Sequence, residues 1–303
     1  MTAVNPATAA PSRVQTPLKR FVVEFLDSRV AVLGLVVLVL IVSSALFAPW
    51  IAPQDPYDLS KLDIMNGMLS PGSADMDGNL FWLGSDEQGR DLLSAILYGL
   101  RTSLLVGFSS TTVALAIGLM VGMIAAYAGG SLDAAIMRLV DIQLSFPAIL
   151  IALILLAVLG KGVDKVIIAL TAIQWAYYAR TVRSAALVER RKEYVEAAQC
   201  LALPRQRIVL RHLLPNCLPP LIVVATVQVA HAITLEATLS FLGVGVPVTE
   251  PSLGMLIASG FDYMLSGEFW VSLFPGLALL VTIVSINLVG DQMRDVLNPR
   301  LQH

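Results

Sequence analysis

The side chains able to do chemistry in this 303-residue chain are few and widely spaced. Asp86, Arg90 and Asp91 fall in one short block bounded by Gly84 and Gly89. The two glycines permit a tight turn, and charges that close pair with one another. No nucleophile or metal set accompanies these acids, so they are not a catalytic pair. They read as a brace that fixes a turn at the start of the next helix, or as a contact for a protein partner. His231 and Glu236 lie toward the far end of an apolar run. An ionisable group there faces protein or a water-filled path, which makes both candidates for a pore or gate; a position at the external interface is the competing reading. Gln174 and Tyr178 line a polar pathway or belong to an aromatic interface belt. Cys200 and Cys217, with His212, His231 and His303, show no metal-ligand or CxxC spacing, so neither a metal centre nor a disulfide scaffold is expected. Gly160-Lys161 is followed by Gly162 and lacks the earlier glycine of a phosphate-binding loop. No catalytic residue, resident cofactor or ATP site is therefore expected in this chain.

A second candidate is a surface. Residues 180–220 read RTVRSAALVERRKEYVEAAQCLALPRQRIVLRHLLPNCLPP, too polar to span a membrane and too periodic for a loose loop. Tyr194, Ala197, Ala198 and Leu201 recur at three- and four-residue spacing, which predicts a small, apolar stripe on one helix face. Glu193 and Glu196 sit toward the helix start, where negative charge is favoured, and Pro204 interrupts the pattern. Such a helix, held between two spans, suits docking to a partner; a basic connector touching lipid headgroups is the plainer reading.

The elements that position these residues follow from composition. Hydrophobic residues make up 56% and charged residues 14%, with a mean hydropathy of +0.76. Soluble domains carry about 25% charge, so a soluble globular fold is excluded. Near-neutral net charge gives no support to nucleic-acid binding. A helix needs about 20 apolar residues to cross the hydrocarbon core. Residues 30–50 form the first uncharged run; 102–132 contain a second span and a turn at Ala128-Gly129-Gly130; 142–160, extended back to about Asp133, a third. Residues 166–179 are a short run between Lys165 and Arg180, 213–230 open a fifth, and 269–290 give the sixth. The domain reading is a leader over 1–29 with an interfacial helix or polar stretch, a transmembrane helix over 30–50, and an external loop over 51–98. A five-helix core over 99–292 contains a cytoplasmic loop at 184–216 and an external loop at 243–268; residues 293–303 form a tail.

Cytoplasmic flanks are enriched in Lys and Arg. Four precede the first run, and eight lie between Arg180 and Arg211, whereas 51–98 has only Lys61 and Arg90 against eight acids. The expectation is an all-α, six-span, multi-pass membrane protein with both termini cytoplasmic. Gly118 and Gly122 form a GxxxG, for packing inside the subunit or a homodimer seam. Pro147, Pro219, Pro220 and Pro275 bend spans or end them.

Four blocks then carry a resemblance. Glu196-Ala197-Ala198, Ala202, Ile208 and Leu214-Pro215 resemble the cytoplasmic EAA loop of bacterial ABC-importer permeases. Trp82–Gly107, Ser240–Pro247 and Asn287–Pro299 resemble the C-type permeases for dipeptides, oligopeptides and nickel, in family order. The chain departs at Ala202, usually Gly, and at Gln292 and Asn298, usually Gly and Asp. The resemblance implies a type I ABC-importer transmembrane domain in the bacterial cytoplasmic (inner) membrane, with Glu193, Tyr194 and the EAA-loop residues docking on a cytosolic ATPase. It implies as partners a homologous second permease, two ABC ATPases that use ATP and Mg, a periplasmic or lipid-anchored substrate-binding protein, and membrane lipid. The implied cargo is short peptides, with nickel or glutathione as alternatives. A gradient-driven carrier would show two related halves or midplane charges, and an intramembrane enzyme a buried nucleophile or metal set; neither pattern is evident.

Overall fold

The computed structural model describes residues 17–56, 58, 62–247 and 249–297. The first sixteen residues of the leader, and the tail from Asn298 onward, lie outside the described residues. Its regular structure is helical apart from a two-stranded hairpin, β1 (Ser73–Ala74) and β2 (Leu80–Phe81), and most of residues 52–91 is irregular.

Helix α1 (Pro17–Leu26) lies against the last helix of the chain through Phe21 and Phe25. Helix α2 (Arg29–Leu46) starts at Ser28, whose hydroxyl accepts from the Ala31 N–H. It stops short of the expected Trp50, and a four-residue α3 (Ala48–Ile51) follows. Pro49 has no N–H to continue the ladder. Helix α4 (Leu92–Ala128) has 37 residues, about 55 Å at 1.5 Å per residue. It begins seven residues inside the expected 51–98 loop because Asp91 caps it, accepting from the Ser94 N–H at 2.8 Å and hydroxyl at 2.6 Å. It ends at Gly129, where φ is +63°.

The third run departs from a single straight span. Helix α5 (Gly130–Leu144) and α6 (Ala148–Leu159) are bent by 89° at Ser145–Pro147, where Pro147 cannot extend the preceding ladder. Helix α7 (Val163–Glu189) runs past the expected start of the cytoplasmic loop at 184. That loop is itself helical: α8 (Glu193–Cys200), α9 (Arg205–Ile208) and a π-turn (Val209–Leu213) lead directly into α10 (Leu214–Phe241). The expected 243–268 loop contains α11 (Leu253–Phe261), capped by Ser252. Helix α12 (Trp270–Leu297) continues into the expected tail.

Among the described residues, four segments can cross a membrane by length and composition: α2, α4, the continuous run Arg205–Phe241, and α12. The bent pair α5–α6 makes a fifth if taken as one span. Helix α7 carries more charge, yet it is central. Val166, Leu170, Ile173, Tyr178 and Val182 are buried along it. A helix enclosed by neighbours does not meet lipid and need not be uniformly apolar.

The longest seam joins α4 to α7 and rests on two missing side chains. A Cβ at Gly118 would lie 2.6 Å from the Trp175 carbonyl oxygen and 2.9 Å from the Ala179 nitrogen. One at Gly122 would lie 2.8 Å from Val182 Cβ. The GxxxG therefore serves packing within this chain. Outward faces of α2, α6 and α12 expose Val39, Leu40, Ile154, Val158, Leu280 and Val284. Apolar area on this scale matches lipid rather than water.

Candidate functional site

The helical excursion between α7 and α10 is anchored on one side and open on the other. Val195 and Ala198 of α8 are buried with Ile208, Leu213 and Cys217 against Val182 and Ala186 of α7. Glu193, Tyr194, Glu196, Ala197 and Leu201 are exposed, Leu201 at 74%. The expected stripe is thus divided: Ala198 faces inward, while Tyr194, Ala197 and Leu201 face out. Ala202 is exposed, Ile208 is buried, Leu214 is half-buried and Pro215 is exposed.

Ala202 terminates α8 with φ +52°. Its N–H donates to Gln199 O at 2.9 Å, and the Leu203 N–H to Ala198 O at 3.2 Å. These two bonds define a Schellman cap whose C′ residue is left-handed, the position that glycine normally fills. Leu203 packs on the cluster containing Ala198, and Pro204 prevents continuation. The family's glycine thus has a physical reason, and this chain meets the same backbone with alanine.

A polar knot ties α8 to both flanking helices. Tyr194 Oη donates to Glu189 Oε2 at 2.7 Å and accepts from Asn216 Nδ2 at 3.2 Å. Asn216 Nδ2 also donates to the His212 carbonyl at 2.7 Å, and Lys192 pairs with Glu189 at 2.6 Å. Partial burial and the adjoining Glu189 carboxylate push the Tyr194 phenol up to about 12. Neither Glu189 nor Asn216 stood out in the sequence, because their partners lie on other elements. The basic stretch is also less free than its composition implies. Arg183 makes a two-pronged pair with Asp133 at 2.6 Å, Arg180 pairs with Asp141, and Arg190 donates to the Ala126 and Tyr127 carbonyls. Arg191, Lys192, Arg205, Arg207 and Arg211 remain exposed.

At the opposite end of α4 lies the Gly84–Asp91 block. Asp86 and Arg90 are buried and paired at 2.6 Å, and Asp86 also accepts from the Gln88 and Arg90 N–H groups. Gly84 (φ +83°) and Gly89 (φ +75°) turn the chain where a side chain would strike the backbone of Leu69 or Asp63. The Asp91 N–H donates to Gln54 Oε1 at 2.7 Å. Burial raises the Asp91 carboxyl above the usual range against the opposing Ser94 bonds. This arrangement fastens the loop before α4 to the α4 N-terminus, and Asp86, Arg90 and Asp91 offer little surface to a partner.

The four residues expected along a pore separate. Gln174 and Tyr178 are fully buried: Gln174 bridges Thr111 of α4 and the Gln228 carbonyl of α10, and Tyr178 packs beneath Gly118. Glu236 is also fully buried, accepting from Ser103 at 2.7 Å and Ser240 at 2.8 Å. This carboxylate joins α10 to α4. His231 alone is exposed, on the same face of α10 as Thr234 and Phe241. Gln292, at the family's usual glycine, donates to the Glu24 carbonyl of α1 at 3.1 Å.

Long apolar helices, a helical excursion at one end and a fastened loop at the other define an integral-membrane helical protein. The chain belongs to the family of binding-protein-dependent transport system inner membrane components, whose model matches residues 118–303. It is a multi-pass protein of the bacterial inner membrane. A model of the N-terminal TM domain of oligopeptide transport permease C matches residues 16–71. The chain is 40% identical to the di/tripeptide transport system permease protein DppC of Pseudomonas aeruginosa, with 100% of this chain and 99% of that one covered. It is 39% identical to the dipeptide transport system permease protein DppC of Escherichia coli, with 98% of each covered. Against the probable D,D-dipeptide transport system permease protein DdpC of E. coli the identity is 37%, covering 90% and 88%. The fold resembles that of an inward-facing MetNI methionine ABC transporter chain, with a TM-score of 0.57 at 23% identity over 68% of this chain and 98% of that one.

Proposed function

We propose that this chain is one permease subunit of an ATP-driven importer of dipeptides or short oligopeptides. The peptide class rests on the relatives that match essentially the whole chain. The chain forms half of a heterodimeric pore with a homologous second permease. It receives peptide from a periplasmic or lipid-anchored binding protein and couples to two cytosolic ATPases. It catalyses no reaction itself; ATP and Mg are used by those partners. In this reading α7 and the α5–α6 pair are spans, making six, and both termini are cytoplasmic. The cation-rich 184–216 side is then cytoplasmic and the Gly84–Asp91 side external.

One observation carries the coupling assignment: α8 exposes Glu193, Tyr194, Glu196, Ala197 and Leu201 while its inner side is packed on the junction of α7 and α10. A push on α8 reaches both helices without crossing a flexible linker. The receiving surface is the exposed His231–Thr234 face of α10. Polar groups at membrane depth do not face lipid at rest, so this face lines the aqueous path or the second permease. ATP-driven closure of the ATPases pushes α8, reorients α7 and α10, and alternates access to that path.

The test is peptide uptake in proteoliposomes containing the whole complex. Glu196→Lys should leave membrane insertion intact and lower ATP-driven uptake about tenfold, or ~1.4 kcal/mol of docking. Normal ATP-driven uptake in that variant would count against the coupling assignment. Uptake driven by an ion gradient without ATPase subunits would replace the proposal with a secondary carrier.

A further inference from the structure

We infer that Glu189 and Asn216 are positioning residues for coupling: with Tyr194 they form a polar linkage that converts displacement of α8 into movement of α10. The inference rests on the reading of α8 as the ATPase-docking helix. It concerns a different question, namely how force leaves that helix.

Three elements meet at one hydroxyl. Glu189 is the last residue of α7, Tyr194 the second of α8, and Asn216 lies in the first turn of α10. Tyr194 Oη has one hydrogen to give, which goes to Glu189, and it accepts from Asn216. The geometry uses the hydroxyl in both directions, so neither bond competes with the other. Beneath it, Val195 and Ala198 make only apolar contacts with Ile208, Leu213 and Cys217. Apolar contact is non-directional and resists separation better than sliding. The hydrogen bonds supply the directional part of the joint.

Asn216 also reaches the backbone at the one place where it is irregular. Pro215 has no N–H, so the Arg211 carbonyl loses its usual helical donor. The chain relaxes into a π-turn over Val209–Leu213, closed by the Leu214 N–H on the Val209 carbonyl. The Asn216 amide caps the His212 carbonyl inside that turn at 2.7 Å. Such turns occur where helices bend and at functional sites. Tyr194 thus holds the side chain that holds the hinge. The helix beyond it is assigned without a break to Phe241, with Pro219 and Pro220 inside its first turns, and His231 lies about 22 Å further along it at 1.5 Å per residue.

The test uses the assembled complex in proteoliposomes and measures peptide imported per ATP hydrolysed, beside complex assembly and ATPase rate. Asn216→Ala and Glu189→Ala, both outside the docking face, should each retain assembly and hydrolysis. Each should lower the import-to-hydrolysis ratio about 2- to 12-fold, the factor a single net hydrogen bond is worth. The double variant should be no worse than the more severe single one, because both cut the same linkage. Glu189→Gln keeps an acceptor oxygen for Tyr194 and should hold a higher ratio than Glu189→Ala. Wild-type ratios in Asn216→Ala and Glu189→Ala would overturn the linkage. So would a parallel fall in assembly and hydrolysis, which would mark a purely structural role. If Glu196→Lys also leaves assembly and uptake unchanged, the docking reading itself has failed; if it does not, only the linkage has.

Discussion

Replacing Ala202 with glycine should stabilise the end of α8 without adding any contact. Ala202 is held at φ +52° by two Schellman bonds. A left-handed conformation costs an L-residue with a Cβ roughly 1–2 kcal/mol. Glycine removes that cost but brings about 0.5–1 kcal/mol of additional unfolded-chain entropy. With the middle of each range the net gain is about 0.75 kcal/mol, within about a 2- to 5-fold smaller population of the locally opened cap. Amide hydrogen exchange on the detergent-solubilised chain reads this directly. The Ala202 and Leu203 amides, which make the two cap bonds, should exchange about 2- to 5-fold more slowly in Ala202→Gly. Ala202→Val should exchange faster than wild type, since a β-branched residue is a genuine outlier at positive φ. Unchanged or faster exchange in Ala202→Gly, or protection in Ala202→Val, would refute the account of the cap and of why glycine is usual there.

Two further outcomes test the packing. Gly118→Ala should lower thermal stability by about 1–3 kcal/mol through overpacking against α7. Gly276→Ala, where no atom lies within 4 Å of the added carbon, should raise it by up to about 1 kcal/mol from helix propensity; equal melting shifts for the two would refute the seam. Asp86→Ala strands the buried Arg90 guanidinium and should cost about 3–5 kcal/mol, with the loss partly recovered in Asp86→Ala/Arg90→Ala; a wild-type melting curve for the single variant would dismiss the brace.

The two ends of the α4–α7 region were legible in the sequence to different depths. The apolar runs and the turn at Gly129-Gly130 announce themselves because they are local signals, whereas the caps at Ser28 and Asp91 were not read and α4 starts earlier than expected. The elbow at Pro147 was visible as a proline, yet its 89° bend depends on where α5 is held by Arg183 and Gln143. Helix α11 was hidden in a segment that reads as a loop, because its nine residues are short and its neighbours are rich in Gly and Pro. The coupling segment was legible as a helix from the spacing of Tyr194, Ala197 and Ala198. Which of those residues face outward was not, since α7 and α10 decide it. Glu236 was readable as unusual, whereas its donor Ser103 lies 133 residues away and only the fold brings the two together.

The close approach at Gly118 and Gly122 makes two helices into one part of the machine. Two backbones in contact, with no side chains between them, have no rotamers through which to slide. Helices α4 and α7 therefore move as one body. The brace fastens one end of α4, and the Arg190 contacts fasten its other end to the foot of α7. In the proposed cycle the pair reorients together, and the natural axes are the π-turn before α10 and the elbow at Pro147. A mutation that loosens the pair would dissipate the stroke rather than block it, so the transporter would go on hydrolysing ATP while moving little cargo.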